Sequence, residues 1–235
     1  MARLLVVLLV AAFGLAACGD DETTPTETSQ ARVYFLLDEK VWPVARELPD
    51  GDDPASDIVT ELNAGPNEGE QEIGLTGSFP EDVDVEVANG VATVTFEGEL
   101  TREQLAQLVY SLTGLDAIVQ SVEVGGESYT RADFEEQTPS VLVESPLAFE
   151  QVTTPLTASG TANTFEANFQ YELLDAEGNV IDENFVTATS GTGTRGTFEF
   201  ATAAVDDVAT LVVFETSAED GSRIREVKIP LVDAS

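Results

Sequence analysis

Little in this chain has the residue types and spacing that catalysis needs. There is no histidine, so a nucleophile–histidine–acid arrangement is absent. Lys40 and Lys228 have no serine three residues before them, and no G-x-S-x-G occurs, so the common serine nucleophiles are absent too. Residues 191–196, GTGTRG, match G-x-G-x-x-G, but the strand-like TFEFAT follows them. No helix N-terminus is then offered to a pyrophosphate, and a glycine-rich hairpin loop is expected. Carboxylates are abundant, with 44 Asp and Glu. A glycosidase needs two of them about 5–9 Å apart, a condition that many pairs here would meet by chance. Asp50, Asp52 and Asp53 are hard oxygen ligands of the kind Ca²⁺ takes. Their spacing is not that of an EF-hand loop, so they are read as a solvated acidic turn. No catalytic residue, metal site or cofactor site is assigned.

The single cysteine, Cys18, is different. Before it come one base, Arg3, an apolar core from Leu4 to Ala12, and small residues. This is the layout of a secretory signal peptide. A membrane-spanning helix needs about 20 apolar residues. The run here is shorter and gives way to Asp20, Asp21 and Glu22. Leu15-Ala16-Ala17-Cys18 resembles the lipobox of bacterial lipoproteins. That resemblance implies cleavage after residue 17 and a diacylglyceryl group on Cys18, which becomes the lipidation site. An ordinary signal peptide with an incidental cysteine is the alternative. Lipidation would anchor the chain in the membrane and leave no thiol for a disulfide, thiol catalysis or zinc.

Residues 19–30 hold four acids, one proline and no base. They cannot bury enough apolar surface to fold and are read, with Cys18, as a lipidated tether over 18–30. Twelve residues span at most roughly 40 Å, so the folded part is expected on the outer, extracytoplasmic face of the cell membrane. The chain beyond the tether suits two domains of about 100 residues each. The full chain's 10 bases against 44 acids give a formal charge of −34. That charge excludes nucleic acid as a partner.

The periodicities divide the chain in two. In 32–48, two apolar runs flank Asp38-Glu39-Lys40, as in a hairpin. Asp53 is placed to cap a helix that starts at Pro54 and runs over 54–63, with Ala55, Ile58, Val59 and Leu62 on one face and Gly65 ending it. In 83–96, alternation on both sides of Asn89-Gly90 predicts a second hairpin. Thr101 and Gln104 stand at capping-box spacing before the stripe Leu105, Leu108, Val109 and Leu112. A strand over 119–124 closes the set. The expected unit is α+β over 31–126, a small mixed sheet with two helices on one face. Residues 127–140 show no sustained period and are read as a linker. Over 141–235, seven short strand-like runs separated by turns predict an all-β antiparallel sandwich. Phe165, Phe169, Tyr171 and Phe214 are its expected core, while Trp42, Phe79 and Tyr110 are either core or contact surface.

These residues carry two further resemblances. VYFLLDE, LNAGP, GLTGSFP, VEVANGVATVTF, LAQLVYSLTGL and SVEVGG, in that order over 32–126, resemble the GerM-type sporulation and spore-germination domain (GerMN). Ser145-Pro146, the run over 159–181 and FETSAEDGS at 214–222 resemble the immunoglobulin-like domain of bacterial spore-germination proteins. The turn FEGEL departs from the first family's frequent polar turn. Glu166, Glu215 and Asp220 recur in the second motif and are expected to form structural hydrogen bonds or turns. The resemblance implies an extracytoplasmic lipoprotein that works by protein contact. The expected function is a membrane-anchored, non-enzymatic binding or assembly module of the envelope. Its partner would be an envelope protein or cell-wall polymer. A carboxylate-dependent glycan hydrolase and a solute-binding lipoprotein are the alternatives.

Overall fold

The computed structural model describes residues 28–49, 51–115 and 117–234. The signal peptide, Cys18, most of the tether and Asp50 lie outside the described residues.

Strands β1 (Thr28–Leu37) and β2 (Lys40–Pro49) pair antiparallel along their full length, from Thr28 opposite Pro49 to Leu37 opposite Lys40. The turn residues Asp38 and Glu39 both have positive φ, 49° and 62°. Two such residues match the turn twist that a two-residue hairpin favours. The strand begins inside the segment read as tether, because β2 is long enough to pair residues 28–30 as well.

Helix α1 (Pro54–Ala64) starts where Asp53 accepts from the Ser56 amide and ends at Gly65, φ 76°. A short helix α2 (Glu68–Glu72) follows, closed by an Asn67/Glu70 capping box. Strands β3 (Asp84–Ala88) and β4 (Val91–Thr95) form the Asn89-Gly90 hairpin. Helix α3 (Arg102–Leu112) carries the expected Thr101/Gln104 capping box. It leads to β5 (Ser121–Val124), which runs parallel to β4, and β6 (Glu127–Tyr129) returns antiparallel. The sheet order is β3-β4-β5-β6, with the β1-β2 hairpin as a separate two-stranded sheet. The α+β reading holds, with its strands divided between two sheets. Ile58 and Leu62 of α1 and Leu108 and Leu112 of α3 are buried in a core shared with Val33, Phe35, Val94 and Val122.

The segment read as a linker over 127–140 is ordered. It contributes β6 and then a 3₁₀ helix, Arg131–Gln137. Phe134 in that helix is fully buried, under the Arg102 guanidinium 4.2 Å from its ring centroid. A three-residue strand followed by two short 3₁₀ turns joined across a kink at Phe134 leaves no period to detect.

The second half holds all seven expected strands: β7 (Val141–Ser145), β9 (Thr157–Ala162), β10 (Asn168–Leu174), β11 (Val180–Thr187), β12 (Gly196–Ala201), β13 (Thr210–Thr216) and β14 (Arg223–Pro230). Two-residue strands β8 (Gln151–Val152) and β15 (Val232–Asp233) pair in parallel beside them. The sandwich sets β12-β9-β7 against β11-β10-β13-β14. Phe169 meets Phe198 edge-on at 4.9 Å and Tyr171 stacks on Phe200 at 4.5 Å between centroids. Two expected core residues differ. Phe165 is 61 % exposed, because a kinked turn at 165–167, with Glu166 and Ala167 at positive φ, carries it off the sheet before β10 begins. Phe214 is buried, but on the face opposite Leu211 and Val213, beneath the Arg223 guanidinium at 4.1 Å.

Candidate functional site

Nine bases lie among the described residues, and each has a carboxylate or a carbonyl for a partner. Arg46 lies between Glu61 at 2.9 Å and Glu70 at 2.6 Å. Arg223 pairs with Glu172, Arg225 with Glu215 and Lys228 with Glu226. Arg102 donates to the Asp133 carbonyl and Lys40 to the Glu136 carbonyl. Arg32 stands 4.0 Å from Glu144. The remaining two, Arg131 and Arg195, hold the two halves of the chain together.

Arg131, in the 3₁₀ helix, donates to Glu144 of β7 at 2.8 Å, to Thr113 Oγ1 at 2.8 Å and to the Tyr110 carbonyl at 3.1 Å. Tyr34 of β1 donates its hydroxyl to the same Glu144 oxygen at 2.5 Å. Arg195 reaches back from the sandwich. It donates twice to Glu135 at 3.0 Å, to the Pro139 carbonyl at 2.8 Å and to Thr161. Asn163 adds a bond to Glu135 at 2.8 Å. Burial pushes the Tyr34 and Tyr110 hydroxyls up, so both stay protonated donors. Burial works against the charged Arg131, but Tyr34 and Glu144 outweigh it and hold its proton more firmly. Burial also opposes the charge on Glu135, yet the Arg195 and Asn163 bonds keep it below the usual carboxylate range. This junction is a polar clasp built from ion pairs and hydrogen bonds between the two halves.

Beside the clasp lies a groove of about 440 Å³ between the first hairpin, the 138–140 segment and β14. Lys40, Trp42, Ser140 and Arg225 are among its lining. A second groove of similar size is lined by Arg131 and Arg195, each of whose three guanidinium nitrogens donates to a partner within the fold.

Of the residues singled out from the sequence, Trp42 lines the first groove and Tyr110 joins the clasp, whereas Phe79 lies apart from both; all three are buried. Glu215 accepts from the Phe165 amide and pairs with Arg225. Asp220 accepts from the Ser222 amide and hydroxyl in the turn before β14. Both act as structural partners, as expected. Glu166 sits in the kinked turn with its amide donating to Thr192. Asp53 caps α1, and no acid or thiol cluster with metal-holding geometry exists among the described residues. The GTGTRG loop is a packing feature. A Cβ on Gly191 would fall 2.5 Å from the Ala167 nitrogen, and one on Gly196 2.3 Å from the Ser190 nitrogen. The carboxylates whose pKa is displaced, Asp133, Glu135, Asp175, Asp220 and Glu226, are all held low. Apart from Tyr110, the clasp residues were not singled out from the sequence. The signal was the scarcity of bases: with so few, each marks a tie within the fold.

An α+β unit clasped to an immunoglobulin-like sandwich defines a two-domain class of protein. Residues 32–130 match the family described as sporulation and spore germination, and residues 140–222 match the immunoglobulin-like domain of bacterial spore germination. The first half therefore belongs to the sporulation and spore germination family and the second to the immunoglobulin-like domain of bacterial spore germination. The tandem GerMN domains of the sporulation protein GerM from Bacillus subtilis are similar at 22 % identity, over 46 % of this chain and 42 % of that one, with a TM-score of 0.33. The similarity thus spans less than half of that structure's length. No curated protein matches the chain.

Proposed function

We propose that this chain is a lipoprotein held on the outer face of the cell membrane through Cys18. Its two domains act together as a non-enzymatic binding or assembly module of the envelope, in sporulation or a germination-like process. Its partner is an envelope protein or a cell-wall polymer. The clasp carries this reading. Basic side chains fix one domain on the other instead of serving a reactive site, which suits presentation of a shaped, acidic surface. A glycan hydrolase needs a carboxylic acid with a raised pKa, whereas the displaced carboxylates here are held low.

Affinity capture from the native envelope tests the reading. The chain with Cys18 intact should fractionate with the membrane and retain a specific partner or wall fragment. Cys18→Ser should abolish lipid labelling and release the folded chain. Turnover of a wall polymer or ester by the purified protein at enzyme-like rates would overturn it.

A further inference from the structure

We propose that the groove beside the clasp binds the terminal carboxylate of a peptide with an apolar side chain close to that end. This deepens the binding-module reading and rests on it. The ligand class follows from which groups in the groove are already engaged. Glu135 is held by Arg195 and Asn163, and Glu226 by Lys228 at 3.0 Å and Arg223 at 3.5 Å. Thr138 bonds the Tyr110 hydroxyl and the Phe134 carbonyl. What remains is mostly donors. Lys40 has given one N–H to the Glu136 carbonyl, which leaves two. Arg225 bonds Glu215 through Nη1, and its side chain is 60 % exposed. The Ser140 hydroxyl is buried and meets no partner within the chain, so a staggered rotation that turns it into the groove costs no hydrogen bond. Two cationic donors and a hydroxyl suit an acceptor-only group, which a carboxylate is. Leu37, Trp42, Pro139 and Val227 supply an apolar wall for the neighbouring side chain.

One residue opposes such a ligand. Asp38, in the first hairpin turn, also lines the groove, and its carboxylate repels another. This yields a variant that damage cannot imitate.

The test uses the full chain at 0.15 M salt, where repulsion by the acidic body is screened beyond about 8 Å. Acetyl-Leu-Ala-Ala with a free carboxylate is titrated against its C-terminal amide, with amide resonances as the readout. The acid should move signals at Lys40, Ser140 and Arg225 and bind at least tenfold tighter than the amide. Asp38→Asn should tighten binding severalfold. Ser140→Ala should weaken it about threefold with an unchanged melting temperature. Arg225→Lys, which keeps a charge beside Glu215, should weaken it about fivefold. A peptide ending in D-Ala-D-Ala, set against its all-L form, separates a wall peptide from a protein C-terminus, since a preference for either names the source. Equal binding of acid and amide, or no gain from Asp38→Asn, would overturn the proposal. An envelope partner captured equally by the wild type and Arg225→Lys would also overturn it, yet leave the binding-module reading standing.

Discussion

At the scale of single residues, Arg46 decides how an acidic chain can bury acids at all. Its side chain is 13 % exposed and lies against Glu70, which is 5 % exposed. Burial works against the charged guanidinium, but Glu70 and Glu61 outweigh it and raise its pKa. Removing one member of a buried pair leaves the other charge unpaired, typically at a cost of 3–5 kcal/mol. Arg46→Met should therefore cost about 3 kcal/mol in a denaturant titration. Adding Glu70→Gln should recover part of that loss, because the stranded group is then neutral. A loss below about 0.5 kcal/mol would mean that Glu70 reaches water without its partner.

Glycine plays the corresponding part among the elements of the sandwich. A Cβ on Gly160 would fall 2.0 Å from the Leu142 carbonyl oxygen and 3.0 Å from the Phe198 ring. Gly160→Ala must push β9 away from both β7 and β12. Overpacking of this kind costs roughly 1–3 kcal/mol, and the melting temperature should fall accordingly. An unchanged midpoint would show that the three-stranded sheet can open at no cost. The element scale is also where the sequence was most legible. Asp53, Asn89-Gly90 and the Thr101/Gln104 pair each act within four residues, so their types alone announced α1, the second hairpin and α3. The seven sandwich strands were equally plain from alternation and turns. Helix α2 was missed, because three glutamates, a glutamine and a glycine carry no apolar stripe, and its capping box at Asn67 and Glu70 was the only signal. Phe165 was misplaced because alternation continues through residues 165–169 while the backbone does not. The clasp and the groove were invisible for another reason. They join Tyr34 to Glu144, Lys40 to Glu136 and Arg195 to Glu135, and no local pattern reports such separations.

At the scale of the whole molecule, the clasp and the charge pull in opposite directions. The sequence suggests halves that melt separately, since each has its own apolar set. Yet Tyr34, Arg131 and Glu144 belong to a junction that neither half completes alone. Calorimetry on the full chain should give one cooperative transition, and two independent transitions would show the clasp to be too weak to couple the domains. The charge acts against both halves at once. At −34, self-repulsion opposes the compact state. Repulsion between exposed charges more than about 10 Å apart is largely screened at 0.1 M salt. The melting temperature should thus rise with NaCl, most steeply below 0.1 M. Acidification adds two effects of opposite sign. Between pH 7 and about 5 the first protons reach carboxylates of ordinary pKa near 4, repulsion eases, and stability should increase. No histidine titrates in that range. Asp133, Glu135, Asp175, Asp220 and Glu226 have folded-state values below the unfolded ones. Their contribution is fully present above the unfolded pKa and is lost as pH falls through the depressed values. Stability should therefore pass through a maximum near pH 5 and decline below about 4. Melting temperatures measured from pH 3 to 8 at 20 mM and 500 mM NaCl decide this. High salt should flatten the rise above pH 5 and leave the decline below pH 4. A decline that begins at pH 6 would mean that the carboxylate ties, rather than repulsion, govern stability across the whole range.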